Sequence, residues 1–295
     1  MHQSLHHLVA DAPWNDEEML AEVRRSVLPT MQKHGPVVAW IVDDTGFPKQ
    51  GKHSVGVARQ YCGQIGKPDN CQAAVSLSVS TSLPIAWRLY LPEVWCQDAE
   101  RRQQAGVPEG IEFQTKPEIA LQQIRKAVEP EIDIGVVLAD AGYGNGTPFR
   151  TALTQLGLSY MVGIESSTTV WEPGQQPLPA PPRKPGRGAA PKRLQRSAHH
   201  QPISVKQLAF GLPPAARKEI SWRPGSRETL RSRFAAVRVG PAHRDEKRMV
   251  PHPEEWLVIE MAEERIGTYK ILAFHFAAEC LMEVSSEDSQ TSMDY

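Results

Sequence analysis

The most ordered apolar pattern in this chain is a run that stops abruptly in charge. Val37 to Val42 is apolar throughout and rich in β-branched residues, which reads as a strand buried on both faces. The strand is expected to end at the adjacent carboxylates Asp43 and Asp44, followed by Thr45-Gly46. A second run, Ile134 to Ala139, repeats the pattern and ends in Asp140-Ala141-Gly142-Tyr143-Gly144. Charge at the end of a buried strand is costly unless a cation or hydrogen bonds compensate it. Two such strands, each delivering an Asp into a Gly-containing loop, outline a divalent-metal site. Each Asp could instead cap a turn unaided, because Asp-Thr-Gly and Asp-Ala-Gly have turn composition.

Helical spacing of Met19, Leu20, Val23, Val27, Leu28 and Met31 predicts an amphipathic helix over Asn15 to Lys33. Asp16, Glu17 and Glu18 stand at the end where the helix dipole favours negative charge. Thr45 to Asn70 is polar and Gly-rich and reads as a long loop. Ala73 to Val79 and Ile85 to Leu91 predict a hairpin turning at Thr81-Ser82. Thr115 is a helix cap, with Pro117 and Glu118 in the first turn and Ile119, Leu121, Ile124 and Val128 on the buried side. A helix over Pro148 to Leu156 and a strand over Tyr160 to Ile164 follow. Three strands, then alternating helices and strands, is the order of an α/β ribonuclease-H-like mixed sheet with flanking helices.

The pattern changes at Trp171. Seven prolines between Pro173 and Pro191 predict an extended, mobile loop. Short strands are then expected at Ile203–Leu208, Ser232–Val239 and Trp256–Met261, with Arg231, Arg233 and Arg238 bordering or alternating with apolar residues in the middle one. The resulting division is a helical segment over 1–34, a catalytic core over 35–165 and a Pro/basic-rich loop over 166–202. A β-rich insertion over 203–270 and a divergent, disordered or frame-shifted tail over 271–295 complete it.

Composition adds little except through its distribution. The chain has 295 residues, enough for a sizeable core, and a formal net charge of −1. Six basic residues and no acid lie between Arg183 and Arg196: Arg183, Lys184, Arg187, Lys192, Arg193 and Arg196. From Ile271 onward there is no Lys or Arg, but there are five acids. That asymmetry hints at nucleic-acid contact in the basic part. Cys62, Cys71, Cys96 and Cys280 form no Cys-x-x-Cys pair, which fits ordinary thiols in a reduced cytoplasm. No cationic-then-apolar leader is evident, and no apolar run approaches the roughly 20 residues that span a bilayer.

Downstream of Asp43 stand Lys49, Lys52, His53, Arg59 and Gln60, in a segment that continues through Tyr61-Cys62-Gly63, Gly66-Lys67 and Asn70-Cys71-Gln72. Its cations could meet backbone phosphates. Asp43-Asp44-Thr45-Gly46-Phe47-Pro48-Lys49 through Gln72 resembles the first catalytic block of bacterial insertion-sequence transposases of the DDE superfamily. Ala139 to Gly144 resembles their second block, and the likeness runs from about His2 to about Tyr269. The resemblance implies a ribonuclease-H-like fold with a β-rich insertion. It also implies metal-dependent cleavage of transposon ends and joining of the 3′ hydroxyl to target DNA.

By position it implies Asp43 and Asp140 as ligands of Mg²⁺ or Mn²⁺, and Lys49, Lys52, His53, Arg59 and Gln60 as residues facing DNA or the site. Asp44 is the alternative first ligand. Asp43 is preferred because the family's usual spacing of Asp, any small residue, then Thr or Ser places Thr45 third. The Arg183–Arg193 basic residues are further DNA-binding candidates. Partners would be double-stranded DNA at transposon ends and target, with room for a homodimer on DNA and no membrane. The family's third acid, a Glu on a helix after Trp-x-Ile/Val, has no match: no Trp follows Trp256, and no Lys or Arg follows Lys270. Glu279 and Glu283 are weak surrogates. The expectation is a chain truncated at both ends, or frame-shifted after Tyr269, and impaired in catalysis. The competing expectations are a non-catalytic DNA-binding remnant and a stand-alone ribonuclease-H-like nuclease.

Overall fold

Asn15 opens the first helix, its side chain accepting the Glu18 N–H, and α1 spans Asp16–Gln32. The computed structural model describes residues 15–79, 83–128, 132–183, 189–224, 229–263 and 269–276. The chain divides into two units, Met1–Gly135 and Val136–Tyr295.

In the first unit, β1 (Ala39–Pro48), β2 (Ala58–Cys62), β3 (Lys67–Val79) and β4 (Leu83–Leu89) are all antiparallel to their partners. The long β3 organises them. One edge pairs with β1 over Cys71–Val79; the other pairs first with β2 and then with β4. The β3–β4 pair matches the expected hairpin; Thr81 and Ser82 lie outside the described residues. Two short helices, α2 (Glu93–Cys96) and α3 (Ala99–Gln104), lead to α4 (Lys116–Ala127). Thr115 caps it as expected, and Glu118 completes the contact as a reciprocal capping box. Ile119 and Ile124 are buried on its inner side, and Gln123 donates to the Val75 carbonyl of β3 at 3.0 Å.

Two readings change here. β1 does not stop at Asp43 but continues through Asp43 and Asp44 to Pro48, and its burial alternates along its length. Backbone pairing with β3 carries the strand past the carboxylates, which need only be tolerated on a half-exposed surface. The segment 45–70 is likewise not one loop, because it holds the end of β1, all of β2 and the start of β3. Burial alternates along Ala58 to Cys62, but the residue types do not, with polar Arg59 and Gln60 adjacent, so the strand leaves no clear pattern in the sequence.

In the second unit, β5 (Val136–Ala139) runs parallel to β6 (Tyr160–Ile164), with α5 (Ala141–Gly144) and α6 (Thr147–Gln155) between them. The chain continues through β7 (Thr169–Trp171), β8 (Ile203–Ser204), α7 (Val205–Gly211), β9 (Lys218–Pro224), β10 (Thr229–Pro241), β11 (Glu255–Glu263) and β12 (Tyr269–Phe276). Pairing order is β5-β6-β12-β11-β10, after which β10 pairs with both β9 and β7, and β7 with β8. Val170, Val205, Leu208, Val239, Leu257 and Ile259 form a buried cluster.

The strand expected at Ile203–Leu208 is two strand residues followed by a helix. A capping box between Ser204 and Gln207 turns the chain into α7. Residues 271–276, placed in the divergent tail, belong to β12, which pairs antiparallel with both β11 and β6. Residues 277–295, including Glu279 and Glu283, lie outside the described residues.

Candidate functional site

Asp43 and Asp44 are successive residues of β1 and so project to opposite faces. Asp44 shares its face with buried Trp40, Val42 and Gly46 and is half-buried. Its carboxylate meets the Lys116 ammonium at 2.5 Å, and Lys116 also lies 5.6 Å from the centre of the Tyr90 ring. Lys116 is the first residue of α4, so the capping box fixes where this ammonium stands. Asp43 is exposed, opposite Ser76 in register. Its Oδ1 accepts the Asp44 N–H at 2.7 Å, and Ser76 Oγ donates to its backbone carbonyl at 3.3 Å.

The loop from Lys49 to Val57 follows directly. Lys49, Lys52 and His53 are exposed on it, as is Arg59 on β2. Gln60 behaves differently from the sequence expectation of a DNA- or site-facing group: its side-chain amide donates to the Cys71 carbonyl at 2.9 Å, across the β2–β3 pair. Gly56 closes the loop with φ +76°, and a Cβ there would stand 2.8 Å from the Tyr90 carbonyl oxygen, so glycine is required twice over. Beneath this region Cys62 and Cys71 are buried together, and burial with the neighbouring Cys62 pushes the Cys71 thiol up to about 11.

Asp140 belongs to the second unit. It is exposed and caps α5, its Oδ1 accepting the Gly142 N–H at 2.9 Å. The glycines after it serve close packing: a Cβ on Gly144 would lie 1.9 Å from the Gly163 carbonyl oxygen of β6. Arg150, almost fully buried on α6, holds this turn by donating to the Gly144 carbonyl and the Thr147 hydroxyl, and it pairs with Glu255 at 3.1 Å. Burial pushes the Glu255 carboxyl up from its ordinary value, with Arg150 opposing that shift.

Of the second basic cluster, Arg183, Lys192 and Arg193 are exposed in the second unit, and Lys184 and Arg187 lie outside the described residues. The Pro-rich segment carrying them is anchored where it is described. Leu178 and Gln195 exchange backbone hydrogen bonds, buried Leu194 donates to the Arg248 carbonyl, and Arg196 pairs with fully buried Asp245. Asp245 also accepts the Trp171 indole N–H at 2.6 Å. The mobile loop expected from proline content is therefore tied at both described ends. Long-range partners such as Asp245 leave no local signal in a proline-rich stretch.

Among the described residues no three or more His, Cys, Asp or Glu side chains form a group able to hold a metal. The donor chemistry of Asp43 and Asp140 is nonetheless suitable. Both are exposed carboxylates, and hard oxygen donors of this kind, one or two per ion with water completing the shell, suit Mg²⁺. Lys116, Arg101 and Trp95 were not among the residues singled out by sequence. Their only local signals are a helix-start position for Lys116 and an aromatic–Arg pair six residues apart.

The chain thus carries two adjacent carboxylates on a strand of a mixed α/β unit, followed by a cationic loop. It belongs to the DDE superfamily endonucleases, whose family model matches residues 1–229. The fold is correspondingly ribonuclease-H-like, with the β-rich region after it, and the family acts on DNA and uses divalent metal ions. A relative from Microchaete diplosiphon, described as a probable transposase for insertion sequence element IS701, is 35% identical over 169 residues. The match takes in 56% of this chain and 41% of the relative, so the chain spans about two-fifths of the length of the curated relative it matches. Among the described residues no helix is long and apolar enough to cross a membrane.

Proposed function

We propose that this chain is a transposase-type DNA endonuclease and strand transferase, acting at transposon ends and joining a 3′ hydroxyl to target DNA. The observation that carries the reading is the continuity of exposed Asp43 on β1 with the Lys49–His53 loop, within a chain whose family membership is established. Asp43 and Asp140 would hold Mg²⁺ or Mn²⁺. Two such ions, about 3.5–4 Å apart, would supply activation of the attacking oxygen and stabilisation of the leaving one. Lys49, Lys52, His53 and Arg59 would neutralise backbone phosphates, with Arg183, Lys192 and Arg193 adding charge from the second unit. A protein of this kind would work in the bacterial cytoplasm on the nucleoid, with a homodimer on DNA as an assembly to be tested by light scattering.

Calorimetric titration with Mn²⁺ tests the ligand assignment. Uptake by the parent chain should be lost in Asp43→Asn and Asp140→Asn and kept in Asp44→Asn. Uptake surviving Asp43→Asn but lost in Asp44→Asn would reverse the choice. A second reading, a DNA binder without cleavage, is favoured by one observation: among the described residues no three or more His, Cys, Asp or Glu side chains form a group able to hold a metal. Mg²⁺-dependent nicking of a duplex by the purified chain, absent in Asp140→Asn, would rule that reading out.

A further inference from the structure

The loop joining β1 to β2 is held from its protein side by its carbonyl oxygens. Asn70 Nδ2 donates to the Lys49 and Gly51 carbonyls at 2.6 and 2.9 Å. Arg101 donates to the Lys52 carbonyl at 2.6 Å, Gln72 Nε2 to Val55 at 2.6 Å and buried Trp95 Nε1 to Val57 at 2.8 Å. The Ser54 carbonyl accepts the Val57 N–H at 3.1 Å. Arg101 is itself fixed, its guanidinium 3.7 Å from the centre of the Trp95 ring. Every side chain that clamps the loop is a donor.

The amides show the converse. Among the described residues, no acceptor meets the backbone N–H of Gln50, Gly51, Lys52, His53 or Ser54, and all five residues are exposed. Consuming a loop's carbonyls on one side and leaving successive N–H groups unmet is how a backbone forms an anion-binding concavity. Lys49, Lys52 and His53 add positive charge to the same stretch.

We infer that Asn70, Gln72 and Arg101 are positioning residues that hold residues 49–57 as a preformed phosphate-binding loop. Its amides and its two lysines then meet a DNA backbone phosphate without first being ordered. The inference rests on the DNA-binding function proposed above. Its energetic logic is preorganisation: a loop already fixed loses little conformational freedom when the phosphate arrives. Asn70 and Gln72 stand two apart on β3, so one strand face supplies both clamps.

Duplex binding followed by fluorescence anisotropy across a salt series tests this. Asn70→Ala should weaken binding about tenfold and lower the slope of log K against log salt by about one. Lys49→Ala/Lys52→Ala should weaken it at least as much. The triple variant should bind more weakly than the lysine pair by less than the full Asn70→Ala loss, because only the amides are left for the clamp to position. Additive losses in the triple variant would overturn the inference, as would an Asn70→Ala variant with parental affinity and slope. Should Asn70→Ala fail to fold, the unmutated chain still decides the matter: NMR amide signals of Gln50 to Ser54 should shift on titration with a short duplex. Signals that stay fixed while others move would overturn the inference alone. A chain that binds no duplex would overturn the DNA-binding function and this inference together.

Discussion

Gly144→Ala is the substitution that most directly tests how the second aspartate is held. A Cβ at this position would stand 1.9 Å from the Gly163 carbonyl oxygen and 3.0 Å from both the Gly163 carbonyl carbon and the Val162 Cβ. That is about an ångström inside the closest approach of a carbon to an oxygen, and the obstacle is strand backbone, which cannot rotate away as a side-chain tip can. Overpacking costs typically about 1–3 kcal/mol, and a rigid backbone neighbour puts this site at about 3 kcal/mol or beyond. For a chain of this size that corresponds to a fall in Tm of about 6–12 °C, measured by differential scanning calorimetry. α5 would have to move off β6, taking with it the Gly142 N–H that Asp140 accepts, so Mn²⁺ uptake should fall with stability. Gly146→Ala is the control: its Cβ would meet the Tyr143 carbonyl oxygen at 3.5 Å, an ordinary contact, and should cost below about 1 kcal/mol. A Gly144→Ala protein melting within a degree of the parent would refute the close-packing account of this motif.

Thr115→Ala should cost about 1 kcal/mol in urea unfolding through the lost cap of α4, and Lys116 should hold Asp44 less well. Hydrogen bonds from Thr115 hold the Glu118 carboxyl below its ordinary value of 4.5, so the folded chain favours the ionised form. That contribution is full above the ordinary value and is lost as pH falls through the folded one. Glu118→Gln should remove this part of the acid dependence of Tm while keeping the helix. Arg196→Met removes the guanidinium from the buried Asp245 carboxylate, which still accepts the Trp171 N–H, and should cost about 3 kcal/mol in denaturant unfolding; a cost below about 0.5 kcal/mol would refute the stabilising role given to this pair. Cys62 and Cys71 are fully buried and the Cys71 thiol is pushed up to about 11, so iodoacetamide at neutral pH should label neither until the chain unfolds, as peptide mass spectrometry will read.

Local chemistry made much of this protein legible before any coordinates. The α4 cap at Thr115, the α1 start at Asn15, the β5–α5 turn at Asp140 and the β6 strand all depend on neighbours within four residues or on a short run of one hydrophobic period. So does the choice of Asp43 and Asp140 as the residues to watch, since an acid ending an apolar run is conspicuous in one dimension. The misreadings share the opposite property. β1 runs on through Asp43 and Asp44 because β3 pairs with it, and the 45–70 segment contains β2 for the same reason. Residues 271–276 are a strand because β11 and β6 flank them.

What the amino-acid order determined alone was the family motif, the alternation of elements and the identity of the exposed acids and cations, all properties of adjacent residues. Only the tertiary structure decided their circumstances. Lys116, 72 residues from Asp44, neutralises that carboxylate, and Arg101, 49 residues from Lys52, pins the basic loop by its backbone. Such pairs arise when the packed core brings distant segments within hydrogen-bond reach, and no periodicity along the chain records them.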